Sequence, residues 1–243
     1  MDELLFWLNR LGVRTLNYAE YMPNADLPFE EVFFKTDHHW TVEAAYYATQ
    51  ILVDELNRLG GVGIGDISQM PVTKVTYKNS MLGSMGRGAG INFAGIEDFT
   101  AYYINPNMRF RRETVHEDGR EEVLEGDYVD TIMDHTVLNK EDPYKNQIYS
   151  LYMNAIRPYD YVENLSNPDG IRMLMIRDSY FAPVMSFLAP LTGRLDSIWS
   201  LEQMESVSVE ERLAANTYDY IVIEVYPYNI SEDAFQYFES HRE

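Results

Sequence analysis

Two short stretches of the chain carry the residue types and spacing that acyl chemistry needs. Asp37-His38-His39-Trp40 places a carboxylate two positions before an imidazole, and Ser179 lies just past the apolar run 171–176. A serine hydroxyl is inert near neutral pH unless a base takes its proton, and an imidazole held in one tautomer by a carboxylate is the common base. Residues at i and i+2 of an extended segment project to the same side, so Asp37 can hold His39 while His38 points elsewhere. A serine between a buried strand and a helix would present its hydroxyl at the top of a sheet, with the amides behind it available to an oxyanion.

The same residues have plainer readings. Serine after a strand is commonly only the N-cap of the next helix. Asp37 can hydrogen-bond the amides that follow it, Trp40 can fill the core, and the histidines can be ordinary loop residues. A carboxylate and two imidazoles are also metal ligands, but adjacent histidines rarely converge on one ion, and His116, His135 and His241 stand alone in the sequence, so neither a metal nor another cofactor is expected. The glycine-rich run 83–90 lacks the Lys-Ser/Thr ending of a phosphate loop and completes no G-x-G-x-x-G pattern, which leaves a flap or tight turn. Tyr102-Tyr103 and the segment from Tyr149 to Tyr161 offer faces for stacking on sugar rings, or simply core packing.

Positioning these residues requires a frame. Asp2 to Leu11 is amphipathic, with Leu4, Leu5, Leu8 and Leu11 on one stripe, and predicts a helix that stops at Gly12. As an opening element it leaves any strand and helix before it in an α/β sheet missing or absent. Val13 to Tyr18 reads as a short strand. Thr41 can cap a helix running to Leu59, with Glu43 at its positive end, Gly60-Gly61 closing it, and Tyr46, Thr49, Leu52, Val53 and Leu56 facing inward. From 72 to 170 the pattern changes to short β-like runs, among them 73–77, 108–115 and 121–124, the last two joined by a turn at Gly119. This stretch is expected to be an insertion of antiparallel strands within one domain spanning 1–243. The last third returns to alternation: a strand at 171–176, a helix from Pro183 to Leu191, a strand from Leu195 to Leu201, a helix near 207–216 and a strand from Tyr220 to Tyr226. Strands alternating with helices predict a parallel sheet, with the ligand crevice at its carboxyl end, where Asp178-Ser179-Tyr180 and Tyr226 to Asn229 fall.

Bulk properties narrow the partners. Nineteen Lys and Arg stand against 39 Asp and Glu, a formal charge of −20, and such a field repels nucleic acid and anionic lipid surfaces. Cysteine is absent, which removes disulfides and thiolate chemistry. No run of apolar residues is long enough to span a bilayer, and no basic-then-apolar leader stands at the start, which fits a trimmed chain.

The string from Phe33 to Thr41, with Asp37-His38-His39-Trp40 at its centre, together with Arg177-Asp178-Ser179-Tyr180, resembles the DHHW protein family. That family is similar to the SGNH hydrolase-like domains of the alginate O-acetylation proteins. Leu82 to Arg87 and the closing strand from Tyr218 to Tyr226 extend the likeness over most of the chain. The resemblance implies a three-layer α/β/α fold and a triad of Asp37, His39 and Ser179. The motif order is circularly permuted relative to ordinary SGNH esterases, in which the serine comes first. It also implies an extracytoplasmic or cell-envelope protein acting on acetylated or acetylatable glycans beside other polysaccharide-modification proteins. Arg177 stands where a Gly-Asp-Ser block would have Gly, and Ala182-Pro183 where relatives often carry a small polar residue. Candidates for the oxyanion hole or substrate contacts are the Tyr180 amide, Gly83, Asn229, Arg177 and Trp40. Two functions follow as expectations. One is O-acetyl transfer or acetyl-ester hydrolysis through Ser179, and the other is a catalytically inactive glycan-binding or scaffold protein with an incomplete oxyanion hole.

Overall fold

A computed structural model describes residues 2–24, 27–61, 63–104, 107–139, 141–153, 157–200 and 207–230. In chain order its helices are α1 (Asp2–Arg10), α2 (Tyr18–Tyr21), α3 (Val42–Arg58), α4 (Ser84–Ala89), α5 (Ile91–Ala94), α6 (Tyr128–Ile132), α7 (Ala182–Leu188) and α8 (Val209–Ala215). Its strands are β1 (Val72–Met81), β2 (Glu97–Ile104), β3 (Phe110–Val115), β4 (Glu121–Gly126), β5 (Tyr159–Asn164), β6 (Arg172–Arg177), β7 (Arg194–Trp199) and β8 (Tyr220–Ile223).

The apolar run that predicts a strand covered on both faces becomes β6, in which Met173, Leu174 and Met175 are fully buried. It is flanked by β7 and β8, both parallel to it. Met173 and Met175 pack with Val184, Met185 and Phe187 of α7 and with Leu52 and Leu56 of α3. Leu174 and Ile176 face the other way, onto Ile198, Val209 and the flank of Leu213 in α8. Helices on both faces of one sheet make three layers. The inner stripe of α3 includes fully buried Ala44, Ala45 and Ala48, residues small enough for its close packing on α7.

The sheet is mixed rather than wholly parallel. Its order is β4-β3-β5-β7-β6-β8, and β5, β3 and β4 are joined to β7 by antiparallel pairings. The hairpin of β3 and β4 turns at Gly119, whose φ of +77° suits glycine. The stretch 72–170 therefore divides. β1 and β2 form a separate antiparallel pair, whereas β3, β4 and β5 share the sheet of β6 to β8.

Three local expectations are corrected. Val13 to Asn17 forms no strand, and Asn17 instead caps α2 by accepting from the Ala19 amide. The glycine-rich run forms the short helix α4 because Gly83 and Ser84 are anchored to the Asp37 loop by their amides. β8 ends at Ile223, not Tyr226: the Glu224 amide still donates to the Ile176 carbonyl, but the next amide of the neighbouring segment, that of Asp178, goes to the Glu224 side chain and not to backbone. Leu201, expected to end β7, and His241 lie outside the described residues.

Candidate active site

The register of the parallel strands sets the site. Ile176 pairs with Ile198 and with Ile223, so β6, β7 and β8 end together and place Asp178-Ser179 beside Glu224 to Tyr226 at one edge. The Asp37 loop reaches the same edge from a distant part of the chain. Phe33 and Trp40 bridge in antiparallel fashion, the Phe34 amide donates to the His39 carbonyl, and Thr41 then caps α3.

In that loop the backbone bends instead of running extended. The bend still brings Asp37 and His39 together: Asp37 Oδ1 accepts from both the His39 amide, at 3.0 Å, and His39 Nδ1. Asp37 Oδ2 accepts from the Ser84 amide at 2.7 Å. With Nδ1 donating to Asp37, His39 Nε2 is left to accept from the Ser179 hydroxyl, 2.7 Å away across 140 positions of sequence. His39 and Asp37 are buried, and Ser179 is half-buried. Burial raises the affinity of the Asp37 carboxyl for a proton, but the side-chain bond to His39, the His39 charge and the two backbone amides outweigh it and hold the carboxyl well below the usual range.

The loop and the nucleophile turn are locked to each other. Trp40 Nε1 donates to the Tyr180 carbonyl at 2.8 Å, and the Tyr180 hydroxyl donates to the His38 carbonyl at 2.5 Å. Tyr149, marked in sequence only as one of a tyrosine-rich segment, stacks on His39 with ring centroids 4.1 Å apart and also donates to the Tyr180 carbonyl. His38 does turn aside: its Nδ1 faces Ser84 Oγ at 3.0 Å and the ring is partly exposed. Burial and the neighbouring His39 lower its affinity for a proton, against the pull of Asp37 and Asp178.

Several candidates take other roles than expected. The N-cap of the turn is Asp178, not Ser179: Asp178 Oδ1 accepts from the Tyr180 amide at 2.9 Å. That amide is therefore committed and unavailable to an oxyanion. Gly83 donates to Thr36 Oγ1 and backs against Asp37. Arg177 is fully buried, with Nε on Ser197 Oγ and Met185 Sδ and NH1 on the Asp178 carbonyl, so it supports the turn from beneath. Trp40 is buried and positions Tyr180. Asn229 lies in a short turn after β8, and its side chain is outside the described residues. Around this turn the rings of Tyr180 and Tyr226 stack 4.7 Å apart, and Tyr226 continues to Tyr228, which is 87% exposed.

Asp37, His38 and His39 bring one ligand atom each within 4.8 Å of one another. The geometry suits a triad better than an ion, because Asp37 and Ser179 engage both His39 nitrogens. Elsewhere, His116 pairs with Glu122 and His135 with the Tyr103 hydroxyl.

Fold and site together describe a three-layer α/β protein with a Ser-His-Asp constellation at the carboxyl edge of its sheet. No family profile and no curated protein sequence matches the chain. Solved structures do share its fold. A DHHW family protein from Eubacterium siraeum DSM 15702 matches over 84% of this chain and 60% of its own, with 15% identity and a TM-score of 0.57. Bacillus cereus PatB1 matches over 93% of this chain and 73% of its own, with 16% identity and a TM-score of 0.67. A second PatB1 structure, which carries a sulfonyl adduct, gives a TM-score of 0.68 at 15% identity, over 93% of this chain and 71% of its own. The chain thus spans about three-fifths of the length of the first of these proteins. Among the described residues, no helix is long and apolar enough to cross a membrane.

Proposed function

We propose that the chain transfers or hydrolyses acetyl esters of a cell-surface polysaccharide through Ser179. The observation that carries this reading is the 2.7 Å approach of His39 Nε2 to Ser179 Oγ, with Asp37 bonded behind the ring. As Ser179 Oγ attacks the acetyl carbonyl, its proton passes to His39 Nε2. The tetrahedral oxyanion collapses, and His39 returns the proton to the departing alkoxide, leaving an acetyl-serine. The same base then draws a proton from water, releasing acetate, or from a sugar hydroxyl, forming a new ester. The Ser179 amide, which donates to no acceptor among the described residues, is the donor we assign to the oxyanion.

The likeness of the Phe33 to Thr41 and Arg177 to Tyr180 strings to the DHHW family supports placing this chemistry outside the cytoplasm, on glycans, in a permuted SGNH-like domain, and the fold is one shared with a DHHW family protein and PatB1. Support for a ring-bearing substrate comes from the stacked Tyr180 and Tyr226 and the exposed Tyr228 tilted beyond them, which lead from the nucleophile out to solvent. Incubation with a chromogenic acetyl ester, with and without oligosaccharide, is the test. Acetate release or acetylated oligosaccharide is expected from the native chain and neither from Ser179→Ala. Equal turnover by the variant would overturn the proposal. The committed Tyr180 amide favours a second reading, a glycan-binding protein without turnover. Oligosaccharide binding with no acetyl chemistry at all would select it.

A further inference from the structure

Beneath the nucleophile turn, two carboxyl groups meet in a way that the triad does not use. Glu224 is the first residue past β8, and its amide donates to the Ile176 carbonyl, which fixes it against the end of β6. Its Oε2 accepts from the Asp178 amide at 2.8 Å, while Asp178 Oδ2 accepts from the Tyr226 amide at 3.3 Å. Each segment thus binds the other once through a side chain and once through its backbone, and this reciprocal clamp sets the two carboxyl groups beside each other. Asp178 is buried and Glu224 half-buried, and two carboxylates in contact where water is largely excluded favour sharing one proton over ionising together. Amides already serve both Asp178 oxygens, that of Tyr180 on Oδ1 and that of Tyr226 on Oδ2. Glu224 has one oxygen on the Asp178 amide, and the other, which takes no donor among the described residues, can carry the proton.

We propose that Glu224 is a positioning residue that stays protonated and, by donating its O–H to Asp178, holds the Ser179 turn in register with His39. The inference rests on the Ser179 reading for its effect on activity, but the clamp itself does not depend on that reading. The charged and titratable groups facing Glu224 are Asp178 at the turn, Arg177 at the end of β6 and Tyr18 of α2. Burial, and then the Asp178 charge, push the Glu224 carboxyl well above the usual range. The Asp178 amide and Arg177 oppose them without prevailing. Removing the proton would set two anions against each other at the base of the turn and loosen the approach of Ser179 to His39.

Glu224→Gln is the discriminating variant, because its carboxamide donates to Asp178 and accepts from the Asp178 amide as protonated Glu does, yet cannot ionise. The rate at which a fluorophosphonate labels Ser179 is followed against pH, and thermal unfolding is followed beside it. In the native chain the rate is expected to fall on the alkaline side by about tenfold per pH unit beyond one ionisation. Glu224→Gln should hold its rate across that range, and Glu224→Ala should be slower at every pH. For stability, a carboxyl whose folded value is raised stabilises fully below its unfolded value, and the contribution is lost as pH rises through the folded one. The unfolding temperature of the native chain should therefore fall over that interval relative to Glu224→Gln. An alkaline fall and a stability profile unchanged in Glu224→Gln would overturn the proposal, as would a Glu224→Ala variant with native rates. Should Glu224→Gln fail to fold, the infrared carbonyl band of a protonated carboxylic acid in the native chain at neutral pH decides, and its absence overturns the proposal. If the native chain takes no label, the Ser179 reading fails, while the unfolding profile still judges the clamp.

Discussion

Gly83 is predicted to be the most sensitive position outside the triad, because there is no room beside it. A Cβ added there would lie 2.5 Å from the Thr36 carbonyl oxygen and closer still to the Asp37 side chain. Gly83 has an ordinary φ of −71°, so alanine meets no backbone penalty and the whole effect is steric. One of the crowded groups is backbone, and the other is the carboxylate that orients His39. Relief therefore requires the Asp37 loop to move. Overpacking of this kind costs about 1–3 kcal/mol, and in a domain of this size each kcal/mol lowers the unfolding temperature by about 2–4 °C. The effect on chemistry should exceed that on stability, since a misplacement of about 1 Å in a catalytic constellation costs on the order of 100-fold in rate. Gly88→Ala in the same helix is the control: nothing lies within 4 Å of its Cβ, so alanine should stabilise by about 0.4–1 kcal/mol and leave the site alone. The assay is the rate of fluorophosphonate labelling together with thermal unfolding for both variants. Labelling of Gly83→Ala at the native rate would refute the claim that Asp37 is held by contact with this glycine.

Further outcomes follow from the same contacts. Asp37→Asn should reduce the labelling rate by roughly 10³–10⁴-fold while the chain stays folded, because the amide favours the wrong His39 tautomer; paired circular dichroism and labelling measurements check this. Trp40→Phe removes the indole bond to the Tyr180 carbonyl, leaving Tyr149 as its side-chain donor. It should cost about 1 kcal/mol in urea denaturation and slow labelling with it. Because the Asp37 carboxyl is depressed in the folded state, its stabilisation is full above the unfolded value and is lost as pH falls through the folded one. Denaturation between neutral and strongly acidic pH should show a decline that Asp37→Asn flattens.

The juxtaposition of Asp37, His39 and Ser179 is legible in sequence because its chemistry is local in one segment and singular in the other. Asp37 and His39 stand two positions apart, and Ser179 follows the single apolar run that reads as a strand buried on both faces. What was illegible depended on partners far along the chain. Glu224 reads as strand interior, and only the β6–β8 register turns its side chain onto Asp178. Tyr149 lies in an aromatic-rich segment with no periodicity to single it out, yet it lies flat against His39. In sequence the Tyr180 amide reads as an oxyanion donor because it directly follows the nucleophile, whereas the neighbouring Asp178 caps the turn and claims that donor. The polar alternation of β3 and β4 reveals a hairpin but not the sheet it joins, because pairing with β5 is made through the backbone.

One measurement bears most directly on the central claim: the intact mass of the chain after fluorophosphonate treatment, with the modified peptide mapped. A single adduct on Ser179, absent from Ser179→Ala and greatly slowed in His39→Ala, is the predicted result. An unmodified native chain, or an adduct that survives in Ser179→Ala, would contradict it.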